Sequence, residues 1–355
     1  MLAALGIAGS ACAQNWTVVA SGLNNPRGLD FAPNGALYIA EAGLGGDGPT
    51  VIGAEGPVSY GESGSVTRVF KGKQERVATG LPSLAASDGS GAIGPSAISF
   101  DGTGRGWLTI GLGQDPAVRN AVFGADSGLG WLYQLNPNGH LRAIADLAAH
   151  ELKNDPDHAG PDSNPNGVLS DYGKGAFVSD AGGNTLLHVD AKGRVQTIAV
   201  FPTRTVPTPP ALPQPPFGPT IDMQAVPTNV VQGPDGALYV SQLTGLPFPP
   251  GGANVYRVVP GAAPTVYASG FTNIIDLEFD AAGNLYVLEI DTNGLLDPAV
   301  GGRLARVNAG TQTVDTIAST GLVMPGGLAI GPDGALYVTN FSVVPGMGQV
   351  IRIQP

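Results

Sequence analysis

The sequence is poor in the residues on which much enzyme chemistry depends. Its 355 residues include one cysteine and four histidines, and only 13% of them are charged. The cysteine, Cys12, lies in an apolar leader, so the mature chain is expected to have no disulfide, cysteine nucleophile or cysteine metal ligand. Neither a Gly-x-Ser-x-Gly elbow nor a His-Glu-x-x-His motif occurs, which leaves two common hydrolase arrangements without support.

Basic residues are also scarce. The chain has 17 Lys and Arg against 28 Asp and Glu, a formal net charge of −11. An acidic surface repels phosphate backbones and anionic lipids, so we expect no nucleic-acid partner. No apolar run after the leader approaches the roughly 18 residues that a spanning helix needs, so we expect no membrane insertion once the leader is removed.

The leader itself, residues 1–13, reads MLAALGIAGSACA and ends in the A-x-A shape of a signal-peptidase site. It lacks the usual basic beginning, so we interpret it as part of a longer signal peptide. The sequence thus predicts a secreted or periplasmic protein in which residues 14–355 form one monomeric domain.

The chain is rich in Gly and Pro, with 54 and 31 respectively, and 43% of its residues are apolar. This composition favours many short strands joined by turns. An apolar run, a Gly-containing turn and a second apolar run recur six times, which is a β-hairpin signature. The copies begin at Phe31, Phe100, Ser170, Gln232, Phe279 and Ile330.

Each hairpin is followed by two further segments with strand-like alternation, which makes four strands per unit. Six such units predict an all-β fold, a six-bladed β-propeller with blade cores that start near residues 28, 97, 167, 229, 276 and 327. The last unit lacks its fourth strand, and residues 15–23 resemble the fourth strand of other units. We therefore expect the N-terminal strand to pair in the last blade and close the ring.

Every long insertion falls between the second and third strands of a blade or between successive blades. Both kinds of connection leave the same face, here called the upper face, so this face is the predicted ligand- or partner-binding surface. The other interpretation is that the loops only plug the central channel. A Pro-rich stretch, Pro202–Pro219, is expected to be too stiff for strand pairing and to lie as an extended cover over the upper face.

Short polar side chains enter the inner strands at the upper end of the axis. They could bind a ligand, and three of them, Asn166, Asn229 and Asp276, could hold Ca²⁺ through oxygen atoms. We favour a structural interpretation, in which they cap strand ends and satisfy buried backbone groups, because the two aligned positions contain one carboxylate. The candidate site residues are Asn25, Arg27, Asn164, Asn166, Asn229, Asn273 and Asp276.

A second polar group lies in one upper loop, where Asp155, Asp157, His158 and Asp162 follow within eight residues. It could be a metal site, although a solvated loop is the commoner outcome for such a composition.

Several blocks over nearly the whole mature chain resemble the ScyD/ScyE family. They are NPRGLDFAPNGALYIAEAG from Asn25, DSNPNGV from Asp162, SDAGGNTL from Ser179, AVFP from Ala199, LTGLPFP from Leu243 and GFTNIIDL from Gly270. The resemblance implies a periplasmic or secreted propeller related to NHL repeats, whose founding members are linked to biosynthesis of the pigment scytonemin. It carries over no catalytic residues, and Asn166 stands where the family usually has an aromatic residue.

Pro165, Asn166, Gly167 and Asp276 also resemble axial positions of the calcium-dependent lactonases of the gluconolactonase class. Those enzymes use an axial Glu that the first blade lacks, because Glu41 follows the second strand. Three functions therefore remain open: a binding module for a small molecule or protein, which we favour, a calcium-dependent hydrolase, and an accessory enzyme of secondary metabolism.

Overall fold

The computed structural model describes residues 16–354, so the predicted signal segment 1–13 lies outside the described residues. The described chain forms 27 strands and two short helices. The strands of the first half are β1 (Trp16–Leu23), β2 (Pro26–Phe31), β3 (Leu37–Glu41), β4 (Thr50–Gly53), β5 (Gly56–Phe70), β6 (Lys73–Ala85), β7 (Pro95–Phe100), β8 (Gly106–Ile110), β9 (Trp131–Leu135), β10 (Leu141–Asp146), β11 (Pro165–Ser170), β12 (Gly175–Asp180), β13 (Thr185–Asp190) and β14 (Val195–Val200).

The second half continues the same pattern, with one extra hairpin. Its strands are β15 (Arg204–Pro207), β16 (Thr220–Met223), β17 (Pro227–Gln232), β18 (Leu238–Gln242), β19 (Ala253–Val258), β20 (Thr265–Phe271), β21 (Ile274–Phe279), β22 (Leu285–Glu289), β23 (Arg303–Val307), β24 (Val314–Ala318), β25 (Gly327–Ile330), β26 (Leu336–Asn340) and β27 (Gly348–Ile353). The helices are α1 (Pro116–Val122) and α2 (Leu147–Asn154).

Six antiparallel sheets of four main strands form the blades, with inner strands β2, β7, β11, β17, β21 and β25. Each inner strand contacts the inner strand of the next blade, and β25 contacts β2, so the ring is closed. The predicted all-β six-bladed propeller is therefore confirmed. The last sheet has the order β1-β27-β26-β25, and Trp16 pairs with Ile353, as predicted for closure by the N-terminal strand.

Two local features explain why the repeated sequence builds these blades. In the repeated turn, Gly35 and Gly334 have φ of 80° and 74°, a conformation that glycine adopts without steric cost. In the strands, inward apolar side chains fill the space between neighbouring blades; for example, Val255 of blade 4 packs in one cluster with Leu277 and Val287 of blade 5. A single sheet could not bury both of its faces in this way.

The upper-face insertions contain more regular structure than their composition indicates. β4 pairs with the long strand β5, and the two helices are joined by buried Arg119, which donates to both carboxylate oxygens of Asp146 at 2.8 and 2.9 Å. The prediction for Pro202–Pro219 was wrong in part, because β15 pairs with β16. Pairing is compatible with proline here because the ribbon has only two strands, so each strand has a free edge where no donor is needed.

Among residues 16–354, no helix has both the length and the apolar character required to cross a membrane.

Candidate functional site

Two turn residues directly precede inner strands: Asn25 precedes β2 and Asn273 precedes β21. Their φ angles of 50° and 47° lie in the left-handed region, which Asn adopts more readily than most residues. Both are buried, at 0% and 1% exposure. The side-chain amide of Asn25 donates to Gly43 O and Gly89 O, and that of Asn273 donates to Leu243 O. Their contacts therefore hold the upper loops in place.

A carboxylate at the end of the second strand has a matching role in three blades. Glu41, Asp180 and Glu289 are fully buried, and each accepts a backbone hydrogen bond from the segment that leads into the inner strand. The donors are Asn24, Asn164 and Thr272, at 2.7, 2.6 and 2.6 Å. Glu41 and Glu289 are also paired with Arg76 and Arg303 of their own blades. Glu41 therefore has a structural role at the end of the second strand, and it does not lie at the axis.

The upper end of the axis is occupied by a loop. The Arg27 guanidinium donates to Ala92 O at 2.7 Å, and burial lowers the pKa of Arg27 to about 10. At the positions that correspond to Arg27 in the next two blades, Asn166 accepts a hydrogen bond from Ser96 Oγ at 2.8 Å. Because Asn25 holds Gly89 of the same loop, residues 86–94 are fixed against this end of the axis.

Deeper in the axis, Asp276 joins three inner strands. Its Oδ1 accepts from the backbone N–H of Leu277, and its Oδ2 accepts from that of Leu328 in blade 6, both at 2.7 Å. The side-chain amide of Asn229 in blade 4 donates to the same carboxylate. Since the inner strands belong to different sheets, side-chain bonds of this kind hold neighbouring blades together at the axis.

Two further axial residues make the same kind of link. Asp30 of blade 1 accepts from the backbone N–H of Phe100 in blade 2 at 2.7 Å, and Ser99 accepts from that of Ser170 in blade 3 at 3.0 Å. The side chain of one inner strand therefore satisfies the backbone of the next, which supports the structural interpretation of the axial polar residues.

A cavity of about 230 Å³ extends along the axis to Tyr172, an exposed residue of a turn on the lower face. Its acidic lining residues are Asp30, Asp276 and Glu278. Burial is the main cause that raises the pKa of Asp30 and of Asp276 to about 7 and that of Glu278 well above its ordinary value. Sequence reasoning missed Asp30 and Glu278, which lie two residues beyond the aligned positions and so face the same side of their strands.

The residues predicted to hold axial calcium fit the ion poorly. The side-chain oxygen of Asn166 accepts the Ser96 hydroxyl, and Asn229 turns its amide donor, not its oxygen, toward Asp276. Both oxygens of Asp276 already accept backbone hydrogen bonds. An axial calcium ion stays a prediction that these contacts do not favour.

A second cavity, of about 440 Å³, lies between blades 1 and 2 and is called the blade 1–2 cleft. The long insertions of both blades reach it. Its lining residues are Tyr60, Glu62, Gly80, Leu81, Pro82, Ile110, Asp126, Ser127, Gly128, Tyr133 and Leu141. Tyr60 stacks on Phe123 with ring centroids 5.5 Å apart and an interplanar angle of 27°. Burial raises the pKa of Tyr60, and the nearby charges of Glu62 and Asp126 raise it further.

The third polar site is the loop cluster, which consists of Glu151, Asp155 and Asp157. One ligand atom from each residue lies within 4.8 Å of the others. Of the residues that the sequence pointed to here, Asp155 and Asp157 come together, whereas His158 and Asp162 are exposed. Burial raises the pKa of Glu151 to about 8, and the neighbouring negative charges, that of Asp162 among them, raise it as well. Glu151 was missed because residues 147–165 were interpreted only as an upper-face insertion. The N-cap Asp146 followed by helix-forming residues is the signal that could have found its helix.

The fold is shared with solved structures at low sequence identity. Virginiamycin B lyase from Staphylococcus aureus matches with 10% identity and a TM-score of 0.52, over 96% of this chain and 100% of its own. A candidate gluconolactonase matches with 13% identity and a TM-score of 0.54, over 97% and 93% of the two chains. Regucalcin from Agrobacterium tumefaciens, described as calcium-binding, matches with 13% identity and a TM-score of 0.54, over 96% and 93%.

No sequence-family model and no curated protein matches the chain. The structural neighbours are six-bladed propeller proteins, and at such identities they define the fold alone. The class is thus a six-bladed β-propeller, and the more specific resemblance to the ScyD/ScyE family stays a prediction.

Proposed function

We propose that the protein is a binding propeller that receives a small ligand with a cationic group in the blade 1–2 cleft. The observation that carries this proposal is the chemistry of one cavity formed where the upper insertions meet. Loops on a rigid scaffold commonly carry binding sites, and the cleft has the size of a small-molecule pocket.

The lining of the cleft selects for charge. It contains the carboxylates of Glu62 and Asp126, and within the described chain no Lys, Arg or His lines it. Both carboxylates lie near Tyr60, close enough for their charges to shift its pKa. A cation placed on the face of Tyr60 would gain from the ring and from two negative charges. An anionic ligand would be repelled at the same place and by the net charge of −11.

The proposal is tested by titration with choline and with its uncharged isostere 3,3-dimethyl-1-butanol, followed by a panel of larger organic cations. Choline and the best cation of the panel should bind more tightly than their neutral counterparts, and E62Q combined with D126N should weaken binding by about tenfold or more. D47N, which removes an exposed carboxylate from the same upper face outside the cleft lining, is the matched control. Equal binding of the charged and neutral compounds would contradict the proposal.

A second candidate function, hydrolysis of a lactone at the axis, is favoured by three clustered carboxyl groups, two of which have a pKa of about 7. Groups with such pKa values suit general acid–base catalysis at neutral pH. A neighbour named as a candidate gluconolactonase makes glucono-δ-lactone the natural probe. Turnover that is lost in D30N and in E278Q, but kept in E62Q, would favour this function over binding in the blade 1–2 cleft.

From the sequence we further propose that the protein acts as a secreted or periplasmic monomer. A protein partner on the upper face and a role as an accessory enzyme of scytonemin-like biosynthesis remain the alternative proposals.

A further inference from the structure

The loop cluster is built on the end of helix α2 and the turn that follows it. Glu151 lies in the last turn of the helix, and Asp155 is its C-cap, with φ of 38° and a backbone N–H that donates to Glu151 O at 2.8 Å. Asp157 follows two residues later, and Asn184 of blade 3 donates to its Oδ2 at 2.7 Å. The Oδ1 atoms of Asp155 and Asp157 each accept one backbone N–H of the turn, from Gly160 and Ala159, so within the described chain the Glu151 carboxylate alone lacks a donor. Helix and turn thus bring three carboxylates to one point without a contribution from the axis.

The most buried member of the cluster has an unsatisfied oxygen. Glu151 is 2% exposed, and its Oε1 has no hydrogen-bond partner among residues 16–354. Buried polar atoms in native proteins nearly always have a hydrogen-bond partner, so one without a partner calls for an explanation, and a bound ion is one of them. The carboxylate is also held closely, because an added Cβ on Gly183 would lie 2.6 Å from Glu151 Oε2.

The charges around the cluster are negative, which disfavours three ionised carboxylates at this place. The C-terminal end of a helix carries partial negative charge, which disfavours anions there. Within residues 16–354, no Lys, Arg or His forms an ion pair with Glu151, Asp155 or Asp157, and Lys153 of the same helical turn is exposed. The negative charge of Asp180 lies near the cluster as well. A bound cation would balance this charge.

We propose that Glu151, Asp155 and Asp157 bind a structural calcium ion on the upper face, in the connection between blades 2 and 3. Two oxygens bound to one Ca²⁺ at about 2.3–2.6 Å can be no more than about 5.2 Å apart, and the three ligand atoms lie within 4.8 Å of one another. Calcium accepts carboxylates together with water or backbone oxygens in irregular geometry, which suits a helix end followed by a turn. The ion would fill the coordination that Glu151 Oε1 now lacks.

The test is calcium binding by the full-length protein after removal of metal with EGTA, measured by calorimetry with CaCl₂ alone and by thermal unfolding. The wild-type chain should bind one Ca²⁺, and its Tm should rise with calcium concentration. E151Q should weaken calcium binding at least tenfold. In EGTA the Tm of E151Q should equal or exceed that of the wild type, because Gln keeps the shape and removes a carboxyl group whose charged form is disfavoured by burial.

Two variants guard against a folding artefact. D155N changes a half-buried residue and should also lose the calcium response, whereas E278Q, in the axial cavity, should keep it in full. The proposal is overturned if wild-type protein shows no calcium binding up to about 10 mM, which is beyond the weakest range of extracellular calcium modules. It is equally overturned if E151Q and D155N respond to calcium as the wild type does, or if E278Q alone loses the response.

Discussion

The axis and the loop cluster each contain three carboxyl side chains, yet they differ in what satisfies their oxygens. At the axis, Asp30 and Asp276 accept backbone N–H groups from the next inner strand. In the loop cluster, Asp155 and Asp157 accept backbone N–H groups of their own turn, whereas Glu151 Oε1 has no partner within the described residues. The comparison shows that the number of acidic residues does not identify a metal site. Acidic groups saturated by backbone donors hold strands together, whereas an orphaned oxygen among carboxylates points to a cation.

The largest stability effect should come from removing the axial link at Asp276. Asp276→Ala leaves the backbone donors of Leu277 and Leu328 and the amide of Asn229 without their acceptor. We expect the free energy of unfolding to fall by about 1–3 kcal/mol. Urea denaturation at pH 7 measures this change, and D276N, which keeps one acceptor oxygen, should lose less. Equal stability of D276A and the wild type would remove the distinction between the two acidic groups.

The pH dependence of stability should come next in size. Asp30 and Asp276 have a folded-state pKa of about 7 against an ordinary value of 3.8, so the folded state binds more protons than the unfolded state between these values. The free energy of unfolding should therefore decrease as the pH rises from about 4 through about 7. Urea unfolding in saturating calcium checks this slope. D30N should reduce the slope, and a stability that rises over this range would contradict the assignment.

The smallest effect is expected at Glu278, which shares the cavity but has as its donor only the backbone N–H of its neighbour Phe279. Glu278→Ala breaks no link between inner strands, and burial already disfavours its charge. We expect its stability at pH 7 to stay within about 0.5 kcal/mol of the wild type, or to rise. Measured beside D276A, it separates the loss of a strand link from the loss of an axial charge. A destabilisation as large as that of D276A would refute this separation.

The fold could be predicted because the hairpin pattern occurs once in each blade, so its six copies indicate six blades. Each copy combines a turn that requires glycine with flanking apolar strands. The last unit has only three strands of its own, and the N-terminal segment supplies the fourth. Local sequence and global topology agree at every blade, as expected for a repeat architecture.

The site could be predicted less well, for two physical reasons. The alignment compared two consecutive positions at the start of each inner strand, and Asp30 and Glu278 lie two residues beyond the second of them. Glu151 lies on a short helix that is N-capped by Asp146, and Asp146 is held by buried Arg119. The N-cap is visible in the sequence, but the contact with Arg119, 27 residues away, is not. The link between Asp276 and Leu328 spans two blades, so only the closed ring reveals it.

The pairing of Trp16 with Ile353 also has a consequence for how the molecule is made. Strand β1 precedes all other described strands and its partner β27 follows them, so the ring cannot be sealed until all six blades have been synthesised. Such a distant pairing is slow to form. Before it forms, strand β27 of the last sheet is an exposed edge that can pair with other molecules. A duplicate of residues 16–23 supplied as a free peptide during refolding should therefore compete for that edge and trap open rings.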